Sequence, residues 1–168
     1  MVEQLSKSRG PAGTVTLRPV APDDEPFLFQ VYASTRLDEL DAVGMLKDQQ
    51  EVFLNMQYSA QREHYLAYYK DATWDIILLN GAPVGRLIVE RTEQQITGID
   101  VALLPQYRNA GVGSYLIRNL IQEATQAGKP FLIQVEKPNR ARRLYERLGF
   151  IQTGESQTHY RMQWRGDR

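Results

Sequence analysis

The sequence predicts a single-domain α/β protein built on a mixed sheet, with its elements in the order β-α-α-β-β-β-α-β-α-β-β. Three observations predict it. Apolar runs flank Asn80-Gly81, the strongest short hairpin signal, and a third apolar run follows after a brief polar break, which makes an antiparallel meander. A helix pattern opens at Gly111 and Gly113 directly behind that meander. From there to the C-terminus strands and helices alternate, with no internal repeat, low-complexity run or interdomain linker.

Taken in order, residues 1–13 lack the apolar core of a signal peptide and read as a flexible leader, and residues 14–168 form the domain. Thr14–Val20 alternates apolar with polar residues and is β-branched, so it is the first strand. Asp23, Asp24 and the prolines beside them start a helix that runs through Phe27, Val31 and Leu37 or Leu40. After a break at Asp41–Met45, a long helix is expected over about Lys47–Lys70, with Val52, Phe53, Met56, Ala60, Tyr65 and Leu66 as its apolar stripe. The strands Thr73–Leu79, Ala82–Arg91 and Gln94–Leu104 form the meander. A helix over about Gly111–Ala127 ends at a C-cap on Gly128, Pro130–Glu136 is a strand, Asn139–Gly149 a helix, and Phe150–Trp164 a closing strand pair.

Lysine plus arginine equals aspartate plus glutamate at 20 each, so no global field draws in nucleic acid or an anionic membrane. No apolar stretch approaches the roughly 20 residues needed to span a bilayer. The absence of cysteine removes disulfides, thiolate metal sites and a cysteine nucleophile together. A soluble cytoplasmic protein is the expectation. His64 and His159 have no partners at ligand spacing, so neither is expected to hold a metal, and His159 is kept as an alternative proton carrier.

The segment Asp100–Leu120 carries the chemistry. A glycine-rich strand-to-helix turn leaves N–H groups unpaired at the positive end of a helix dipole, where an anion, most often a phosphate, belongs. Arg108 adds a charge-assisted donor, and the bare Gly111 and Gly113 let a diphosphate approach the backbone. A Walker loop is excluded, because Ser114 and Tyr115 follow the last glycine where a lysine and a hydroxyl are required. A dinucleotide fingerprint fails too: Leu116 replaces its third glycine, and the preceding strands read as an antiparallel meander.

Leu103–Ile117, with its proline and its Arg-x-x-Gly-x-Gly, resembles the acetyl-CoA signature of the GCN5-related N-acetyltransferases (the GNAT family). Asn139–Phe150 resembles the closing helix of the same family, and the order of elements agrees over about Thr14–Trp164. The resemblance implies a meander followed by an acetyl-CoA-binding helix. Leu103 and Leu104 would pair through their backbone with the pantetheine arm, and Arg108, Asn109, Ala110, Gly111, Val112, Gly113 and Ser114 would cradle the diphosphate. Asn139 would hold the pantetheine side and Tyr145 would sit near the thioester sulfur. Asn109 stands where many members carry glycine, and asparagine tolerates unusual dihedrals. Asn139 lies six before Tyr145, where seven is common.

Acetyl transfer to an amine needs the amine deprotonated, an oxyanion stabilised and the leaving thiolate protonated. Without cysteine, direct attack in a ternary complex is favoured, with an acetyl-serine route left open. Tyr145 is the candidate acid. Asp100, embedded in the most apolar strand, is the candidate base or, equally, a structural carboxylate bonded to a neighbouring arginine or a helix N-terminus; Glu90 is second, and a water relay stays open. No metal is implied. Tyr32, Arg36 and Glu39, with Asp38 beside them, share a helix face that is either an acceptor site or solvated. The tyrosines of Gln57–Lys70 either line a groove or wedge the helix onto the sheet. The expected function is N-acetyltransfer from acetyl-CoA to a small-molecule or peptide amine, with aminoglycoside, polyamine, amino acid and protein N-terminus all compatible. A non-catalytic acyl-CoA-binding or sensing domain is the rival. A homodimer through the closing hairpin is compatible as well.

Overall fold

Alternating apolar residues on adjacent segments place a seven-stranded sheet between two helical layers in the computed structural model, which describes Pro11 and residues 13–165. The expected leader therefore falls, apart from Pro11 and Gly13, outside the described residues. The elements are β1 (Val15–Pro19), α1 (Glu25–Ser34), α2 (Leu37–Ala42), α3 (Lys47–Tyr68), β2 (Ala72–Leu79), β3 (Ala82–Arg91), β4 (Ile96–Leu103), α4 (Val112–Ala127), β5 (Phe131–Glu136), α5 (Ala141–Arg147), β6 (Phe150–Glu155) and β7 (His159–Trp164). The order matches the expected one, with the first helix divided into α1 and α2.

The sheet runs β1-β2-β3-β4-β5-β7-β6, and its single parallel pairing, β4 with β5, marks the crossover through α4. The meander turns at Asn80 and Gly81, whose φ values of 51° and 82° are those a type I′ hairpin requires. Gly128 and Gly149 end α4 and α5 at positive φ, as the sequence anticipates.

Successive residues of a strand face opposite layers. Ile77, Leu87 and Val89 pack with Leu116, Ile117 and Leu120 of α4, whereas Ile76 packs with Leu28 of α1 and Leu54 of α3. Each fully buried aliphatic side chain contributes roughly 1.5–3 kcal/mol. Of the expected stripe of α3, Tyr65 is buried and Phe53 partly so, and the rest differs. Gln50, Leu54, Tyr58 and Tyr65 are buried, and Val52, Met56 and Leu66 are exposed. Tyr58 and Tyr65 thus wedge the helix onto the sheet, with rings packed on Tyr32 and Trp74.

Asp24 does not cap α1 in the usual direction. Its carboxylate accepts the Ala21 N–H and two Arg18 N–H groups, which fastens the turn back onto β1.

Two irregularities shape β4. Asp100 stands opposite Ile88 and Gly98 opposite Val89, so Ile99 is an extra residue, a β-bulge. The bulge turns Asp100 and Ala102 toward the α1 and α3 layer. Further along, Gly85 faces Leu103 so closely that a Cβ on it would lie 2.2 Å from the Ala102 carbonyl oxygen. Among the described residues no helix is long and apolar enough to cross a membrane.

Candidate active site

The pairing of β4 with β5 lasts only from Ile96–Phe131 to Gly98–Ile133, and beyond it the strands diverge. The opening is a cleft of about 900 Å³, walled by β4, the end of β5, the turn before α4, α5 and the α1–α2 junction. Backbone exposed in that wedge can be read from the register. The Leu104 N–H donates to the Val84 carbonyl at 2.9 Å. In an antiparallel ladder the direction alternates, so Val101 and Leu103 aim their N–H and C=O groups away from β3, into the opening. Arg108 Nε confirms this by donating to the Leu103 carbonyl at 2.9 Å.

This corrects one expectation. Leu104 is buried, its N–H is held by Val84 and its carbonyl accepts the Tyr107 N–H, so it has no free group for an added strand. Val101, missed from the sequence, is the other residue of β4 beside Leu103 whose backbone groups face the opening.

The turn behind β4 has the geometry its glycines suggest. Asn109 has φ 59° and Gly111 φ 86°, both left-handed, so asparagine here adopts the conformation usually left to glycine. The first bond of α4 runs from the Tyr115 N–H to the Gly111 carbonyl. Among the described residues nothing accepts the N–H groups of residues 109–114. A Cβ on Gly113 meets no atom within 4 Å, so the space above it is open. Arg108 is arranged differently from expectation: Nε is held by Leu103, and Nη2 donates to Ser34 Oγ at 3.3 Å, tying the turn to the end of α1.

Tyr145 lies in the cleft wall, buried, edge-on to Phe150. Burial, and then the nearby Asp100 charge, push its phenol well above the usual tyrosine value, so it stays protonated and available as a donor. Asn139 also borders the cleft; its Oδ1 accepts the Ala141 N–H at the start of α5, which leaves its amide N–H₂ for a ligand.

Asp100 is not a free carboxylate. It is ion-paired with Arg86 of β3, which is only 2% exposed and also donates to Gln61 Oε1 at 3.0 Å. An arginine is one of the two partners that the sequence reading of a structural carboxylate names. Glu90 pairs with Thr97 near the far end of β3, outside the cleft.

The Tyr32–Glu39 face is not merely solvated. Tyr32 is buried, and Arg36 donates to both Glu136 oxygens at 2.5 and 2.6 Å, crossing the cleft from the α1–α2 junction to the end of β5. Asp38, Glu39 and His159 line the same end, whereas His64 stacks on Tyr68 away from it. Sequence reasoning missed Arg86 and Glu136. For Arg86 a signal existed: a charge inside the apolar Val84–Val89 run requires a buried partner.

Comparison with known proteins agrees with this architecture. The chain is similar to a ribosomal protein bS18-alanine N-acetyltransferase of Haemophilus influenzae, 29% identical over a region covering 50% of this chain and 58% of that enzyme. The chain thus matches little more than half the length of that relative. In fold it is similar to the PaiA N-acetyltransferase of Thermoplasma acidophilum, solved in complex with coenzyme A, with TM-score 0.67, 13% identity and coverage of 90% and 98%. It is likewise similar to an acetyltransferase of Thermus thermophilus, with TM-score 0.63, 18% identity and coverage of 91% and 97%. The model of the acetyltransferase (GNAT) family matches residues 42–150, a span that holds the strand splay, the glycine turn and Tyr145. With well over half of its length matched, the chain belongs to the acetyltransferase (GNAT) family.

Proposed function

We propose that residues 14–168 form an N-acetyltransferase domain that moves the acetyl group of acetyl-CoA to a primary amine by direct attack in a ternary complex. The observation that carries this reading is the wedge itself: strand backbone at Val101 and Leu103, free of sheet partners, leads directly to the bare N–H groups of residues 109–114. A linear amide-bearing arm followed by a diphosphate fits that sequence of donors and acceptors. Acetyl-CoA supplies an activated acyl group on a thiol leaving group.

The chain's own residues then have assigned tasks. Val101 and Leu103 orient the arm as an added strand. Residues 109–114 hold the diphosphate by N–H groups. Asn139 contributes its amide on the pantetheine side. Tyr145 donates its phenolic proton toward the departing sulfur. Because Arg86 and Arg36 hold Asp100 and Glu136, the amine's proton leaves through water in the cleft rather than directly to either carboxylate. Asp38 and Glu39, exposed on α2, give the acceptor end its negative charge.

A second reading, an acyl-CoA-binding domain without catalysis, draws on that same engagement of both central carboxylates. One experiment separates them. Thiol release from acetyl-CoA is followed with a thiol reagent across amino acids, polyamines, aminoglycosides and N-terminal peptides. The protein has no cysteine, so every thiol comes from the cosubstrate. Release with one amine class supports transfer; tight binding of acetyl-CoA with no release for any class supports the sensor.

A further inference from the structure

The short helix α5 is richer in arginine than its packing requires. Arg142 is accounted for: its Nε donates to Glu146 at 3.0 Å, its Nη2 to Gln152 at 2.9 Å, and its guanidinium lies 4.2 Å from the Tyr160 ring centre. Arg140, Arg143 and Arg147 are not. They are spaced i, i+3, i+7, so one stripe of the helix carries all three together with Leu144, and that stripe borders the cleft. All three are exposed, and among the described residues none has a carboxylate within 4 Å.

Like charges on neighbouring turns repel by a few tenths of a kcal/mol per pair. Glu146, the one carboxylate of α5, is bonded to Arg142 instead. The acidic residues of the cleft lie elsewhere: Asp38 and Glu39 on α2, Asp100 on β4 and Glu136 on β5. Among the described residues, the α5 wall of the cleft carries unpaired guanidinium, whereas the carboxylates sit on α2, β4 and β5, with Asp100 and Glu136 held by Arg86 and Arg36.

Acetyl-CoA carries two separate anionic centres, the diphosphate and a phosphomonoester on the ribose 3′ position. The bare backbone of residues 109–114 serves one of them, with Arg108 beside it held through Nε by Leu103 and through Nη2 by Ser34. The other is a compact dianion with three exposed oxygens, which planar guanidinium forks bind strongly and in defined geometry. We propose that Arg140, Arg143 and Arg147 form the subsite for the ribose 3′-phosphate, and that they make this protein select coenzyme A over its 3′-dephospho form. The assignment rests on the acetyl-CoA reading above.

The test is calorimetric titration of coenzyme A and 3′-dephospho-coenzyme A into the wild type and into Arg140→Gln, Arg143→Gln and Arg147→Gln, singly and together. All three positions are exposed, and an unchanged melting temperature verifies that the variants fold. Charge-assisted contacts to one phosphate predict wild-type preference for coenzyme A by about tenfold or more. The triple variant is expected to bring the ratio close to one while the affinity for the dephospho form stays as in the wild type. Equal wild-type affinity for the two nucleotides overturns the subsite while leaving the acetyl-CoA reading in place. Equal loss of both nucleotides in the triple variant also overturns it, and reassigns the arginines to the diphosphate. Failure of the wild type to bind either nucleotide removes the acetyl-CoA reading itself, and the subsite with it.

Discussion

Arg86 on β3 and Asp100 on β4 are diagonal neighbours joined by an ion pair, with the guanidinium inside the protein and the carboxylate at the cleft. The bulge at Ile99 is what brings Asp100 to the same face of the sheet as Arg86. Burial disfavours the charged guanidinium, and the Asp100 charge and hydrogen bond more than offset that, so Arg86 stays cationic. The carboxylate is committed to keeping a buried cation neutralised.

Removing Asp100 therefore acts on stability before chemistry. Asp100→Ala is expected to cost about 3–5 kcal/mol, because Arg86 is left buried and unpaired. Adding Arg86→Met to it should recover much of that loss, read by urea unfolding. Asp100→Asn should keep the alkaline-rising limb of the pH–rate profile, since the proton of the amine does not go to Asp100. Loss of that limb would restore the aspartate as base.

How far the sequence leads can be judged from these same residues. Asn80-Gly81, the glycine turn and Gly149 were legible because each demands a backbone conformation that few residues adopt. The stripe of α3 was legible only in part, at Tyr65 and Phe53, because its apolar residues surround the helix and Tyr58 is buried where Val52 and Met56 are exposed. Nothing in Asp100–Leu104 signals the bulge at Ile99, and strand register decides which backbone groups face the wedge. For that reason Leu104 was expected to face it and Val101 was not. The Arg36–Glu136 contact joins residues 100 apart, beyond the reach of any local pattern.

That contact is a bridge over the cleft, with both side chains only about a quarter exposed, at 23% and 28%. A partly shielded bidentate pair is worth on the order of 1 kcal/mol. Arg36→Gln and Glu136→Gln should each lower the melting temperature by about 2–4 °C, the shift that such a loss gives in a domain of this size. A double-mutant cycle should return a coupling near 1 kcal/mol. A coupling of zero would mean that the two side chains only lie near one another.

Tyr145→Phe isolates the acid. The ring and its contact with Phe150 are retained, so binding of acetyl-CoA should change little while kcat falls by about 10²-fold or more. Because burial raises the phenol's pKa, the wild type should show no loss of activity from tyrosine ionisation up to about pH 10, where an ordinary tyrosine ionises. A Phe variant with wild-type kcat would end the acid assignment.

Acid stability has a local source in Asp24. The hydrogen bonds from Arg18 and Ala21 lower its carboxyl to about 2, below the ordinary value near 4. A depressed carboxyl contributes stability above its unfolded value and loses it as pH falls toward the folded one. The contribution of Asp24 should thus fade between about pH 4 and pH 2. Asp24→Asn should flatten the stability–pH curve in that window, and an unchanged slope would show that the contacts are too exposed to matter.

Gly113 separates folding from binding most directly. It lies in the first turn of α4, where alanine is the better helix former by up to about 1 kcal/mol, and its φ is not left-handed. A Cβ there meets nothing within 4 Å of protein, so the fold gives no reason to omit a side chain. The reason left is the approach of a ligand to the backbone. Gly113→Ala should raise the melting temperature by about 1–4 °C, on the scale set by a domain of this size, and weaken coenzyme A binding in the same protein. Gly111 behaves differently: its φ of 86° is strained for any side chain, so Gly111→Val should lose stability and binding together. If Gly113→Ala binds coenzyme A as tightly as the wild type, the diphosphate does not lie against that turn, and the wedge from Val101 to Ser114 must hold something else.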